Sequence, residues 1–305
     1  MGDTATMESG YAVDTSWERE HGRLLALEEI YDSQSRHRLT ELGVTGGWHC
    51  LEVGCGAGSI ARWLAQQVGD AGRVLATDVD TRFANAHGLS NLEIRAHDLR
   101  TDDLPDASFD LVHARAVIEH LPDRDEALRR LAAATRPGGW VVIEDFDIED
   151  SGSQDSGSQD FGSQDFGSED GRIEGLGIEG FDIDGPMDPA ACYFPPGYTG
   201  AAERLGRALR AAFGGADVAP GTGRRLSQAL TDAGLTEVGA QVHAPVLTGG
   251  DAAFLPLTLR SLRPRLLATG EVSDMDIEDV ITLTKSQGAA YLPNFMVIAW
   301  GRKPV

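Results

Sequence analysis

Residues 48–65 read Trp48-His49-Cys50-Leu51-Glu52-Val53-Gly54-Cys55-Gly56-Ala57-Gly58-Ser59-Ile60-Ala61-Arg62-Trp63-Leu64-Ala65. Cys50, Leu51 and Val53 can occupy a short buried strand. Three glycines follow, and then Ile60, Trp63, Leu64 and Val68 recur at helical spacing. Gly54, Gly56 and Gly58 carry no Cβ, so the chain can turn tightly there and a ligand can approach the main chain. Ser59 can cap the helix or lie in its first turn. Strand, glycine-rich turn and helix in this order form the ligand-binding corner of a doubly wound α/β domain.

The spacing of the glycines bears on the ligand. A dinucleotide fingerprint needs Gly-x-Gly-x-x-Gly, but three residues after Gly56 stands Ser59; the Gly-Lys-Ser/Thr ending of a P-loop is absent. What stands is Glu-x-Gly-x-Gly-x-Gly, from Glu52 to Gly58. It resembles motif I of the class I S-adenosylmethionine (SAM)-dependent methyltransferases. The resemblance implies that Glu52, Gly54, Cys55, Gly56 and Gly58 bind the cofactor.

Downstream, Gly69-Asp70-Ala71-Gly72 reads as a turn and residues 73–78 as a second strand. Asp78 ends that strand about 20 residues past the last motif glycine, where a ribose-binding carboxylate belongs. A carboxylate can accept from both ribose hydroxyls. Asp80 is the second candidate, Val79 lies between them as a further cofactor contact, and a helix cap is the bland role for Asp78. Residues 91–99 read as a third strand and its exit. There the resemblance puts an acid on the adenine amino group and the next backbone N–H on the ring, which carries onto Asp98 and Leu99; a solvated turn is the alternative.

Residues 104–115 read as a turn into a fourth strand. The resemblance places the backbone near Ala114 and Arg115 beside the methionine part of SAM. His120 follows as the candidate general base, since imidazole titrates in the right range, although a His before Leu-Pro in this family is often structural. His113 is the second candidate. Residues 125–135 form an amphipathic helix, Arg136-Pro137-Gly138-Gly139 stops it, and residues 140–145 are a fifth strand. The alternation predicts a mainly parallel sheet with helices on both faces.

The flanks are less regular. Residues 15–42 have a helical pattern and predict one or two helices, acting either as packing against the sheet edge or as a lid that brings Tyr11 and Trp17 to the site. A five-residue repeat runs from Ser151-Gly152-Ser153-Gln154-Asp155 to Phe166-Gly167-Ser168-Glu169-Asp170. Such a composition cannot bury enough apolar surface to order itself, so residues 149–189 are expected to be an acidic disordered insertion. Calcium binding is a weaker reading, because neither the EF-hand register nor the nonapeptide calcium repeat is present. Residues 199–213, 224–235 and 251–288 read as helical, residues 236–247 as a sixth strand, and residues 294–302 as the last strand. The resemblance implies that this seventh strand is antiparallel. Residues 190–213 and 251–288 could cap the site.

The chain carries 48 acids against 26 Lys and Arg, a net charge of −22. Nucleic acid needs clustered cations and is not expected. Fifteen acids and one base fall between Glu144 and Asp188, so about −14 of that charge is local. Three cysteines, Cys50, Cys55 and Cys192, are too few and too scattered for a disulfide framework or a zinc site. No basic and apolar leader is visible in residues 1–14, and no apolar run reaches membrane-spanning length, so a cytoplasmic protein is expected.

The expected organisation is an N-terminal helical cap (1–44), a SAM-binding Rossmann-like core (45–148), the acidic insertion (149–189) and a C-terminal part with helical caps (190–305). The expected function is SAM-dependent methyl transfer to an O, N or C atom of a small molecule, with no metal and no membrane partner. The alternatives are a SAM-binding protein without methyl transfer, such as a regulator or SAM-assisted cyclase, and a Rossmann-type NAD binder.

Overall fold

The computed structural model describes residues 17–147, 199–214, 222–248, 253–286, 290–291 and 295–305. Tyr11, Cys192 and the whole of the expected acidic insertion lie outside these residues.

Strands β1 (His49–Val53), β2 (Arg73–Asp78), β3 (Leu92–Ala96), β4 (Phe109–Arg115) and β5 (Thr135–Asp147) alternate with helices α2 (Ser59–Val68) and α3 (Arg124–Ala134), behind helix α1 (Trp17–Glu41). The C-terminal part adds α4 (Thr199–Gly214), α5 (Thr222–Asp232), β6 (Thr236–His243), β7 (Leu247–Thr248), α6 (Phe254–Ala268), α7 (Asp274–Thr284), β8 (Ala290–Tyr291) and β9 (Phe295–Arg302). The main sheet has seven strands in the order β3-β2-β1-β4-β5-β9-β6, with β9 antiparallel to both neighbours. The α/β doubly wound class with an antiparallel last strand is therefore the fold. The expected sixth strand breaks after His243, and β7 pairs instead with β8 in a separate two-stranded sheet.

Alternation along the strands sorts the core. Cys50, Val74, Ala76, Leu111, Val142 and Ile298 face α1 and α2, where they meet Leu27, Tyr31, Ile60 and Leu64. Leu51, Val53, Val112, Ala114, Val141 and Ile143 face α3 and α5, against Leu128, Leu131, Leu226 and Leu230. A third core lies among α4, α6 and α7, built on Leu205, Leu259, Leu262, Leu266, Ile277 and Val280. This three-helix group holds the rest of the fold through aromatic contacts: Phe254 of α6 stacks on Phe146 of β5 at 6.2 Å, and Tyr31 of α1 meets both rings edge-on. At the far end of α1, the Arg38 guanidinium lies 3.9 Å over the Trp300 ring of β9.

Local signals end the helices. Asp123 caps α3 by accepting from Glu126 N–H at 3.0 Å, and Ser273 and Asp276 form a reciprocal capping box on α7. Gly223 is required by packing: a Cβ there would stand 2.8 Å from Val297 Cγ2 and 3.0 Å from Asp147 Cβ, so α5 comes onto β5 at backbone distance. Among the described residues no helix is long and apolar enough to cross a membrane.

Candidate active site

The loop between β1 and α2 lies at the sheet's switch point, where β1 and β4 are neighbours and their connections leave in opposite directions. Gly54, Gly56 and Gly58 take φ values of 68°, 53° and 88°, the left-handed region that favours glycine. Gly54 has a second reason to be glycine, because a Cβ would lie 2.2 Å from Val117 Cγ2. Cys55 is buried, and its N–H donates to Thr77 O at 2.9 Å, tying the loop to β2.

Asp78 clamps the same loop from the end of β2. One oxygen accepts from Gly56 N–H at 2.9 Å and the other from Asp80 N–H at 2.9 Å. Each carboxylate oxygen keeps a second lone pair for a hydroxyl. Burial raises the Asp78 carboxyl above its usual range, against the pull of the backbone N–H groups. Val79, next to it, is 57% exposed. Asp80 faces Arg82 instead and accepts from it at 2.7 Å. Asp98, past β3, holds Arg100 through both oxygens, at 2.9 and 2.7 Å. Leu99 is buried, and its carbonyl accepts from Arg130.

Helix α1 lies directly over the loop. A Cβ on Gly56 would meet Leu24 Cδ2 at 3.2 Å, and His21 stacks on Phe83, just past β2, at 5.9 Å. Ser59 N–H, in the first turn of α2, donates to Glu28 Oε1 at 3.0 Å, and Ser59 Oγ donates to Asp32 at 2.9 Å. A dinucleotide places its pyrophosphate at this helix N-terminus. Here a carboxylate of the same chain fills the position.

Glu52 and Arg115 point into a buried charge network. His113 Nδ1 lies 2.6 Å from Glu52 and its Nε2 lies 3.2 Å from Glu144. Ser35 of α1 donates to Glu144 at 2.6 Å, and Arg115 reaches both Ser35 at 3.0 Å and Asp32 at 2.9 Å. The chain of contacts crosses β1, β4 and β5 and ends on α1. Burial pulls the His113 pKa down, but Glu52 and Glu144 outweigh it and push it up to about 10. His113 is a buried cation in this fold, fully enclosed and committed on both ring nitrogens. The geometry therefore does not bring it to a substrate.

His120 ends a short 3-10 turn, Ile118–His120, after β4. Burial first, then the charges of Arg23 and Arg124, lower its pKa to about 4, so the ring is neutral at physiological pH. Its Nε2 lies 3.4 Å from Glu119. Glu119 and Asp145 are both buried beside it.

The sequence reading missed Glu28, Asp32 and Ser35. Their signal is a polar stripe at i, i+4 and i+7 running beside the apolar residues Leu24, Leu27 and Tyr31. A polar stripe next to the core face of a helix needs partners on the sheet.

Residues 51–143 match the family model described as a methyltransferase domain. The chain is 33% identical over 134 residues to methyltransferase str3 of Strobilurus tenacellus, covering 44% of this chain and 47% of that protein. It is 32% identical over 105 residues to the ubiquinone biosynthesis O-methyltransferase of Bordetella avium, covering 32% and 43%. The chain thus spans about half the length of the curated relatives it matches. Among solved structures, phosphoethanolamine N-methyltransferase 2 of Haemonchus contortus, in complex with phosphomonomethylethanolamine and S-adenosylhomocysteine, shares the fold with a TM-score of 0.50 at 16% identity, over 93% of this chain and 58% of that one. Residues 51–143, which hold the glycine loop and the Asp78 clamp, thus match a methyltransferase domain, and in that segment the chain resembles the class I SAM-dependent methyltransferases.

Proposed function

We propose that this protein transfers a methyl group from SAM to an O, N or C nucleophile of a small molecule inside a capped pocket. The observation that carries the cofactor side is Glu28 seated at the N-terminus of α2. A pyrophosphate would have to displace it, whereas a cationic sulfonium compound is favoured by a crevice lined with Glu28 and Asp78. Gly54, Cys55, Gly56 and Gly58 would hold the cofactor by main chain, Asp78 and Val79 the ribose side, and Asp98 and Leu99 the adenine. Glu52 and Arg115 would act behind the loop through the buried network.

A small-molecule acceptor is supported by the α4–α6–α7 cap and by the net charge of −22, which disfavours nucleic acid. The named relatives, such as the ubiquinone biosynthesis O-methyltransferase, are consistent with it. SAM supplies a methyl carbon activated by its sulfonium. The chain's own residues have to align the acceptor with that carbon and keep water out, which accounts for much of the acceleration in a displacement of this kind. His120 is a neutral acceptor at pH 7 and can take a proton from a hydroxyl acceptor. Its depressed pKa makes it a weak base, so positioning is the larger contribution.

The test is isothermal titration with SAM, S-adenosylhomocysteine and NAD, on the wild type and on Asp78→Ala. Both sulfur ligands are expected to bind, NAD is not, and Asp78→Ala is expected to weaken them at least about tenfold, or 1.4 kcal/mol. Preference for NAD, or an unchanged affinity in the variant, would overturn this reading.

A further inference from the structure

The turn after β4 is strained, and two buried carboxylates hold it. Ala116 has a φ of 54°, an unfavourable conformation for a residue with a Cβ. The next residue, Val117, is the one whose methyl group forbids any side chain at Gly54. Asp145, at 0% exposure on β5, accepts from Val117 N–H at 3.0 Å through one oxygen and from Glu119 N–H at 3.2 Å through the other. Glu119 returns the contact: its Oε2 accepts from Phe146 N–H, the residue after Asp145, at 3.1 Å. Each acid therefore grips the backbone beside the other. Strained geometry of this kind persists only where the surroundings over-determine it.

We infer that Glu119 and Asp145 are positioning residues that lock residues 116–119 against Gly54, so that the wall of the crevice and the glycine loop keep one geometry for cofactor binding. The inference rests on the SAM-binding reading. It assigns the two acids no contact with cofactor or substrate.

The clasp has an electrostatic signature. Burial raises the Asp145 carboxyl to about 8, and burial together with Asp145 raises Glu119. The charged neighbours are Arg23 of α1, paired with Glu20 at 2.7 Å; Arg124 of α3, which donates to Glu119 O at 3.2 Å; Glu144 on β5; His120 on the turn; and, where α5 meets β5, Asp147 with Arg224. At neutral pH the two acids avoid carrying two full charges. As pH rises and the second of the two acids ionises, their repulsion strains the clasp.

The experiment measures S-adenosylhomocysteine affinity from pH 6 to 9.5, with amide hydrogen exchange at Val117, Glu119 and Phe146, in wild type, Asp145→Asn and Glu119→Gln. Asparagine can serve only one of the two N–H groups. It is expected to speed exchange at Val117 or Glu119 and to weaken the ligand about tenfold. Glutamine keeps an oxygen for Phe146 N–H but cannot carry the second charge. It is expected to preserve affinity at pH 7 and to flatten the alkaline fall seen in wild type. Faster exchange with unchanged affinity would overturn the positioning role, as would a wild-type affinity that is flat with pH and equal in both variants. Absence of S-adenosylhomocysteine binding in a folded wild type would overturn the cofactor reading itself, while exchange in Asp145→Asn would still report whether the clasp exists.

Discussion

Replacing His113 with leucine is expected to cost about 3–5 kcal/mol of folding stability, the usual consequence of removing one partner from a buried ion network. The cation on β4 is what allows Glu52 and Glu144 to be buried on the strands either side of it, β1 and β5, and Glu144 in turn anchors Ser35 of α1. Leucine has a similar volume, so the loss is electrostatic rather than a matter of packing. Chemical denaturation followed by circular dichroism gives the value. Neutralising the acids in the triple variant His113→Leu, Glu52→Gln, Glu144→Gln is expected to recover a large part of it. A triple variant no more stable than His113→Leu alone would show that the charges are not the cause.

The same network sets a pH window. His113 has its pKa raised from 6.5 to about 10 in the folded state, so the folded protein holds a proton that the unfolded chain releases. Its contribution is complete below about pH 6.5 and is lost as pH rises toward about 10. Wild-type stability is expected to decline between pH 7 and 10 more steeply than that of His113→Leu. Parallel slopes would sink the assignment of the cation.

Gly54→Ala is expected to have the largest effect of any single methyl group in the glycine loop. The left-handed φ costs roughly 1–2 kcal/mol with a Cβ, and overpacking against Val117 adds about 1–3 kcal/mol. The loop must move to relieve both, so S-adenosylhomocysteine affinity is expected to fall by about 100-fold, as read by calorimetry. Gly56→Ala meets only the end of the Leu24 side chain, at 3.2 Å, and should lose less. Gly47→Ala, with a φ of 87° and nothing within 4 Å of the added Cβ, should destabilise slightly and leave affinity intact. The double variant Gly54→Ala, Val117→Ala removes the clash and is expected to regain part of the affinity. If it does not, the strain and not the contact is responsible.

What the sequence made legible was local. The glycine spacing and the acid at the end of β2 are each set by backbone conformation over a few residues, and each stands where its pattern implied; Arg136-Pro137-Gly138-Gly139, expected to stop a helix before a strand at 140–145, instead lies inside β5, which starts at Thr135 directly after α3. Glu52 carried a local pattern but a non-local partner. Strand alternation puts its side chain on the α1 side of the sheet, where it meets His113 from a strand 61 residues away. His113 looked like a possible base for the same reason: a lone histidine in a strand does not say whether carboxylates flank it. The N-terminal region also gave two readings, packing helix or lid. The described residues show the packing: α1 lies on the sheet and touches the glycine loop and the start of α2 through Leu24, Glu28 and Asp32. The separation of β7 from β6 had no sequence signal, because its pairing partner, β8, lies beyond two helices.

The seat of Glu28 has a consequence for redesign. An attempt to retarget this scaffold to a nicotinamide dinucleotide would begin with the loop, by restoring glycine at position 59. That change removes the hydroxyl bound to Asp32 but leaves the Glu28 carboxylate where an anionic ligand must go. On the proposed reading, ligand choice is set twice, once in the loop and once in a helix some 30 residues upstream. On the proposed reading, a swap confined to the loop leaves the corner closed to a phosphate, and a paired change at residues 28 and 59 is expected to be needed.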